Sequence, residues 1–129
     1  MCASDLTDAE WLICPGGMPG ASNLAACEPL TKALIAHNAK GGNIAAICAS
    51  PAIVLAPLGI LRGRDAVCYP GMAVDGWGVN WCEPSMVVVD DNVVTGRGPA
   101  AASVFGLTIV EQTLGEQIAL QVAQGMLIA

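Results

Sequence analysis

The stretch Asn43 to Ile60, NIAAICASPAIVLAPLGI, decides how the rest of the chain is read. Asn43 to Ile47 is a short apolar run suited to a buried strand, and Ala49 onward reads as a helix with Pro51 in its first turn. Cys48 therefore falls on a strand-to-helix corner. A side chain on such a corner projects from the top of a sheet, and the N–H groups that open the next helix place partial positive charge beside it. A thiol there is expected to lose its proton more easily than a free cysteine.

Working outward, the composition bounds what this corner can serve. The chain has 129 residues, which a length prior reads as one domain over 1–129, and 54% hydrophobic residues supply a real core. A net charge of -6 and a single Phe and Tyr argue against phosphate binding and base stacking, so no nucleic-acid partner is expected. The opening residues MCASDLTDAE carry neither a basic start nor an apolar signal region, which makes the cytoplasm the expected location.

Cys2, Cys14, Cys27, Cys48, Cys68 and Cys82 are widely and irregularly spaced, without a C-x-x-C pair, and His37 is the only histidine. Free thiols are expected rather than disulfides, and no metal site. Ile44 to Leu61 is uncharged and reaches about the length of a membrane span. Pro51, Pro57, Gly59 and Ser50 interrupt it, so a buried strand followed by a buried helix is the better account and no membrane partner is expected.

Upstream, Trp11-Leu12-Ile13-Cys14 reads as a strand that ends in the loop Pro15-Gly16-Gly17-Met18-Pro19-Gly20, where bare backbone can approach a site. A helix is expected from Ser22 to Asn38, with Leu30, Leu34 and Ile35 on its buried face, Pro29 near its start and Gly41-Gly42 as its stop. His37, near its C-terminal end, is expected to be solvated. Downstream, Asp65 to Tyr69 reads as a strand and Val74 to Glu83 as irregular, with Trp77 and Trp81 covering a core edge or an interface. Met86 to Val89 and Val93 to Thr95 form a hairpin around Asp90-Asp91-Asn92. A long helix over Ala100 to Leu114 is expected to bury Val104, Leu107, Val110 and Leu114, and a last one covers Glu116 to Gln124. Strands alternating with helices predict a layered α/β fold with a mostly parallel sheet.

Three motifs, in order, resemble the ThiJ/PfpI superfamily, in the branch of the Parkinson-disease-associated protein deglycase. Cys14-Pro15-Gly16-Gly17 looks like the family's strand-ending glycine loop, and Ala45 to Ala52 (AAICASPA) is similar to its cysteine elbow. Thr95-Gly96-Arg97-Gly98-Pro99-Ala100 resembles the segment before its last long helix, and Phe105-Gly106-Leu107 and Ile109-Val110-Glu111 continue the likeness. The resemblance implies a flavodoxin-like sandwich lacking its first strand-helix unit or units. It implies Cys48 as nucleophile and the backbone N–H groups of Gly17 and Ala49 as oxyanion donors.

The activity implied is a cofactor-free, cysteine-dependent hydrolase or lyase of the glyoxalase or deglycase type, acting on a small reactive carbonyl or a glycated protein, in a homodimer. Trp77 and Trp81 or the last long helix could supply the dimer contact. The alternatives are a redox-sensing stress-response protein working through oxidation of Cys48, or an inactive truncated homologue whose Cys48 is only buried. Two departures from the family pattern stand out. The strand and helix that carry a glutamate beside the cysteine have no counterpart before Trp11, which leaves an unpaired sheet edge. Tyr69 stands where related members carry a histidine, and Ala49 stands where the protease-like members place one, which argues against a Cys-His peptidase.

Overall fold

A computed structural model of the chain describes Leu6 and residues 8–128. Cys2, among the cysteines read from the sequence, lies outside the described residues. Among the described residues there are six strands: β1 (Trp11–Cys14), β2 (Asn43–Ile47), β3 (Asp65–Ala66), β4 (Asn80–Trp81), β5 (Val87–Asp90) and β6 (Val93–Gly96). Four α-helices accompany them: α1 (Gly20–Ala26), α2 (Glu28–Ala39), α3 (Ala102–Leu114) and α4 (Glu116–Gly125). The main sheet has the order β1-β2-β6-β5, with β1, β2 and β6 parallel and β5 antiparallel to β6. A two-stranded parallel sheet of β3 and β4 stands beside it. The mostly parallel, layered α/β architecture is the one the alternation of elements predicted.

Side chains of a strand point alternately to opposite faces, so β2 can be fully apolar only if both faces are covered. They are. Ile44 and Ala46, with Leu12, Cys14 and Val93 beside them in register, join Leu34 of α2 and Val54, Leu55 and Leu61 in the larger core cluster. Ala45 and Val94 face the other way and pack with Phe105 of α3 and the partly buried Trp11, Ile47 and Ile109. Burying each large aliphatic side chain contributes about 1.5–3 kcal/mol, and Leu34, Ile44, Leu55 and Leu61 are completely enclosed. At the β1 end of the sheet the only neighbour is β2 among the described residues, and Ile13 is 51% exposed.

Four local expectations are corrected. The helix expected over Ser22 to Asn38 is two helices that break at Cys27, which is extended (φ -83, ψ 97). Pro29 has no N–H for the carbonyl four residues back and its ring collides with that carbonyl, so α1 cannot run through it. The buried face of α2 is Leu34 and His37 with Leu30 half-buried, at helical steps of four and three, while Ile35 is 48% exposed. In α3 the buried line is Phe105 with Ile109, whereas Val104 and Leu114 are exposed. The reason is Gly96 on β6, where a Cβ would lie 2.9 Å from the Phe105 ring, so the one phenylalanine seats itself against bare backbone and sets the helix face. The strand expected over Asp65 to Tyr69 is ordered as strand only at Asp65–Ala66.

Candidate active site

The elbow is where the sequence placed it. β2 ends at Ile47, and Cys48 takes φ 65, the left-handed region, which costs a non-glycine residue about 1–2 kcal/mol. Such a conformation persists only where the surroundings fix it. Here the Cys48 N–H donates to Gly96 O (2.9 Å), continuing the β2–β6 ladder by one step, and Cys48 O accepts from the Tyr69 N–H (2.8 Å). Both halves of the Cys48 backbone are thus held, and its side chain is left half-exposed.

Beyond Cys48, Ala49 and Ser50 are buried, and the Ser50 hydroxyl donates to Pro15 O (2.5 Å), tying the elbow to the glycine loop. The segment that follows differs from the expected regular helix. It is a π turn over Pro51–Leu55, closed by the Ala56 N–H on Pro51 O, and then a 3-10 turn over Ala56–Leu58 that ends at Gly59 (φ 78). Pro57 has no N–H to offer at α-helical spacing, so the ladder widens and then tightens around it.

The loop Pro15–Pro19 forms the facing wall. Its closest approach is Gly16 rather than Gly17: a Cβ on Gly16 would overlap Cys48 Cβ, lie 3.0 Å from Ile47 O and lie 3.3 Å from Cys48 Sγ. Gly17 has φ 90, and its carbonyl accepts from the Ala21 N–H (2.8 Å) at the start of α1. Neither the Gly17 nor the Ala49 N–H donates a backbone hydrogen bond among the described residues. The parallel pairing of β1 with β2 brings the loop after β1 to the elbow after β2, where Gly16 meets Cys48 and Pro15 O meets Ser50.

Other cysteines divide by environment. The described cysteines are all free thiols. Burial pushes the Cys14 thiol up to about 11. The Cys68 thiol is also pushed up to about 11, first by burial and then by the charges of Glu83 and Cys48. Both are held neutral and packed at ordinary pH, while Cys27 is exposed and Cys82 half-buried.

An open pocket of about 180 Å³ is lined by Tyr69, whose N–H holds Cys48 O, together with Pro70, Met86, Arg97, Pro99 and Ala101 among others. Arg97 brings a buried Nε that has no hydrogen-bond partner among the described residues. Gly16, Ser50, Gly96 and Arg97 were not singled out as site residues from the sequence. The signal was present in the quoted motifs, but a glycine that clears space and a serine that ties two loops are identifiable only once the facing residue is known.

His37 is corrected outright. The ring is buried, not solvated, with Nε2 3.0 Å from Asn43 O and 3.3 Å from Glu10 O. Asn43 is at the opposite end of β2 from Cys48, so His37 is a packing residue remote from the thiol. It lies against Gly42, where a Cβ would come within 2.5 Å of Nε2. Among the described residues no group of three His, Cys, Asp or Glu side chains is arranged to hold a metal ion, and no helix is long and apolar enough to cross a membrane.

Known proteins resemble the chain in sequence and fold. Drosophila melanogaster DJ-1beta superimposes with a TM-score of 0.90 at 32% identity, over 98% of this chain and 69% of its own, and has the same flavodoxin-like α/β fold. Protein DJ-1 homolog B of Arabidopsis thaliana is 37% identical over 93% of this chain and 28% of its own length. The glutathione-independent glyoxalase DJR-1.2 of Caenorhabditis elegans is 38% identical over 82% of this chain and 56% of its own. The chain thus spans between 28% and 56% of the length of these two curated relatives. Glycine loop, cysteine elbow and the segment into α3 all fall within residues 2–112, which match the model of the DJ-1/PfpI family, and the chain belongs to that family.

Proposed function

We propose that the chain carries the nucleophile and oxyanion donors of a cofactor-free, cysteine-dependent hydrolase or lyase of the glyoxalase or deglycase type, acting on small reactive carbonyls or glycated protein. The observation that carries this reading is Cys48 itself: a half-exposed thiol on a left-handed corner, clamped at both backbone groups and faced by a glycine loop. A residue held at such a cost while its side chain stays open is the pattern of a working nucleophile. The glyoxalase named among the relatives supports the substrate class.

In this reading Cys48 Sγ adds to the carbonyl carbon and the oxygen becomes an oxyanion. The Gly17 and Ala49 N–H groups receive it, because they have no competing backbone acceptor. Removing one such donor typically costs about 100- to 1,000-fold in kcat. Tyr69 adjoins Cys48 through its backbone, and no imidazole or carboxylate hydrogen-bonds the thiol among the described residues, so proton transfer in this reading passes through solvent. The test is methylglyoxal consumption by the chain and by Cys48→Ala. Loss of turnover in the variant is expected, and equal turnover by the two would remove the proposal.

A second reading, redox sensing by oxidation of Cys48, is favoured by that same lack of an acid/base partner, since oxidation of a thiol needs no positioned proton shuttle. A homodimer is part of the proposal as well. Leu114 at the end of α3 and Ile118, Leu120 and Val122 on α4 are exposed and apolar, and Trp77 is 36% exposed. Light scattering across a dilution series tests it, and a monomer mass at every concentration would count against it.

A further inference from the structure

The elbow holds a second thiol. Cys68 directly precedes Tyr69, whose N–H is bonded to Cys48 O at 2.8 Å, so the peptide groups following Cys48 and Cys68 lie side by side. In a trans peptide the Cys68 Cα lies beside the Tyr69 N–H, so this single hydrogen bond keeps the Cys48 and Cys68 Cα atoms within roughly 6 Å of each other. That separation is inside the window of about 4.4–6.8 Å that a disulfide can bridge. The Cys48 charge also raises the Cys68 thiol, which places the two sulfur atoms within electrostatic reach of each other. Their exposures differ in the useful sense: Cys48 is half-exposed, and Cys68 is 1% exposed. Cys14 is a poorer partner, because its register on β1 pairs it with Ala46, two residues short of the elbow, and burial alone sets its thiol.

We propose that Cys68 is the resolving thiol for Cys48, so that a hydroperoxide drives the pair to an intramolecular Cys48–Cys68 disulfide. The inference rests on Cys48 being the reactive thiol. In the first step the O–O bond of the hydroperoxide breaks. One oxygen passes to Cys48 Sγ, giving the sulfenic acid, and the rest leaves as alcohol or water. In the second step Cys68 sulfur attacks Cys48 sulfur, the S–S bond forms, the S–O bond breaks, and the departing hydroxide takes the Cys68 proton as water. The two thiols lose two electrons and two protons between them, and the hydroperoxide is reduced by those two electrons. Because burial keeps Cys68 protonated, the second step is the slower one, and Cys68 meets the oxidant only through Cys48.

The consequence is that oxidation stops at a reducible disulfide instead of proceeding to sulfinic acid. The test treats the reduced chain with tert-butyl hydroperoxide, blocks free thiols after unfolding, and maps peptides without reduction. A Cys48–Cys68 linked peptide is expected in the wild type. It is expected to be absent from both Cys68→Ser and Cys68→Ala, in which dimedone labels Cys48 as the sulfenic acid. Two different variants guard against one failing to fold, and the wild-type map needs neither. Cys48 sulfinic acid with Cys68 still free, or Cys48 linked to another cysteine, overturns the inference while leaving the reactive thiol intact. A Cys48 that stays reduced while Cys27 or Cys82 oxidises overturns both.

Discussion

Replacing Gly16 by alanine forces a methyl group into space that the Cys48 side chain occupies. The added Cβ would overlap Cys48 Cβ and lie 3.0 Å from Ile47 O and 3.3 Å from Cys48 Sγ. Two of those three neighbours are backbone or backbone-adjacent, on an elbow pinned by Gly96 O and the Tyr69 N–H, so the thiol cannot simply rotate away. Overpacking of this kind costs about 1–3 kcal/mol. With an m-value of about 2 kcal/mol/M in urea, a loss of ~2 kcal/mol lowers the unfolding midpoint by roughly 1 M. Gly17→Ala is the control, because no atom lies within 4 Å of its Cβ and only its φ of 90 opposes the change. Its cost is that of a left-handed alanine, about 1–2 kcal/mol, with the contact at Cys48 untouched.

The assay is urea unfolding by tryptophan fluorescence, paired with the rate of iodoacetamide labelling at Cys48. Gly16→Ala should change both, and Gly17→Ala should change mainly the midpoint. A Gly16→Ala chain equal to wild type in midpoint and labelling rate would refute the packing of the loop on the thiol.

Three further outcomes are expected from the same structure. Because Cys48 has φ 65, Cys48→Gly should be more stable than Cys48→Ala by about 1 kcal/mol, and equal urea midpoints for the two would deny the strained elbow. The Cys14 thiol sits at about 11 in the folded chain against an ordinary 9.0. The unfolded chain therefore loses this proton first. The stability that Cys14 contributes is whole below pH 9.0 and drains away as pH rises toward about 11, by about 2–3 kcal/mol in all. Urea midpoints should fall less steeply over that range in Cys14→Ala than in wild type, and parallel slopes would contradict it. Gly42→Ala presses a methyl onto the buried His37 ring and should cost about 1–3 kcal/mol, most of it recovered in a His37→Ala background, whereas additive losses would argue against the contact.

The elbow and the parallel sheet were legible in the sequence because both rest on local signals. Asn43 to Ile47 is too short and too uniformly apolar for anything but a strand covered on both faces, and Pro51 marks where the next segment turns. What the sequence concealed depends on the partner across a gap. Spacing alone does not choose the face of α3, because Val104, Leu107, Val110 and Leu114 satisfy helical spacing as well as Phe105 and Ile109 do. Only the bare backbone of Gly96 on another strand selects Phe105. His37 has the sequence position of a solvated helix end, but α2 turns that end onto the start of β2, where the Asn43 and Glu10 carbonyls meet the ring. The site itself was half visible. Cys48 and Gly17 stand out by motif, while Gly16, Ser50 and Cys68 acquire meaning from what they touch or lie beside.

The central claim is that Cys48 is the thiol that meets carbonyl substrates, and competitive labelling tests it most directly. The chain is treated with limiting iodoacetamide, with and without excess methylglyoxal, and its cysteine peptides are quantified. Cys48 should be labelled ahead of the more exposed Cys27 and should be protected by methylglyoxal, with Cys14 and Cys68 unlabelled in both arms. Labelling of Cys27 first, together with a Cys48 rate that methylglyoxal leaves unchanged, would contradict the account.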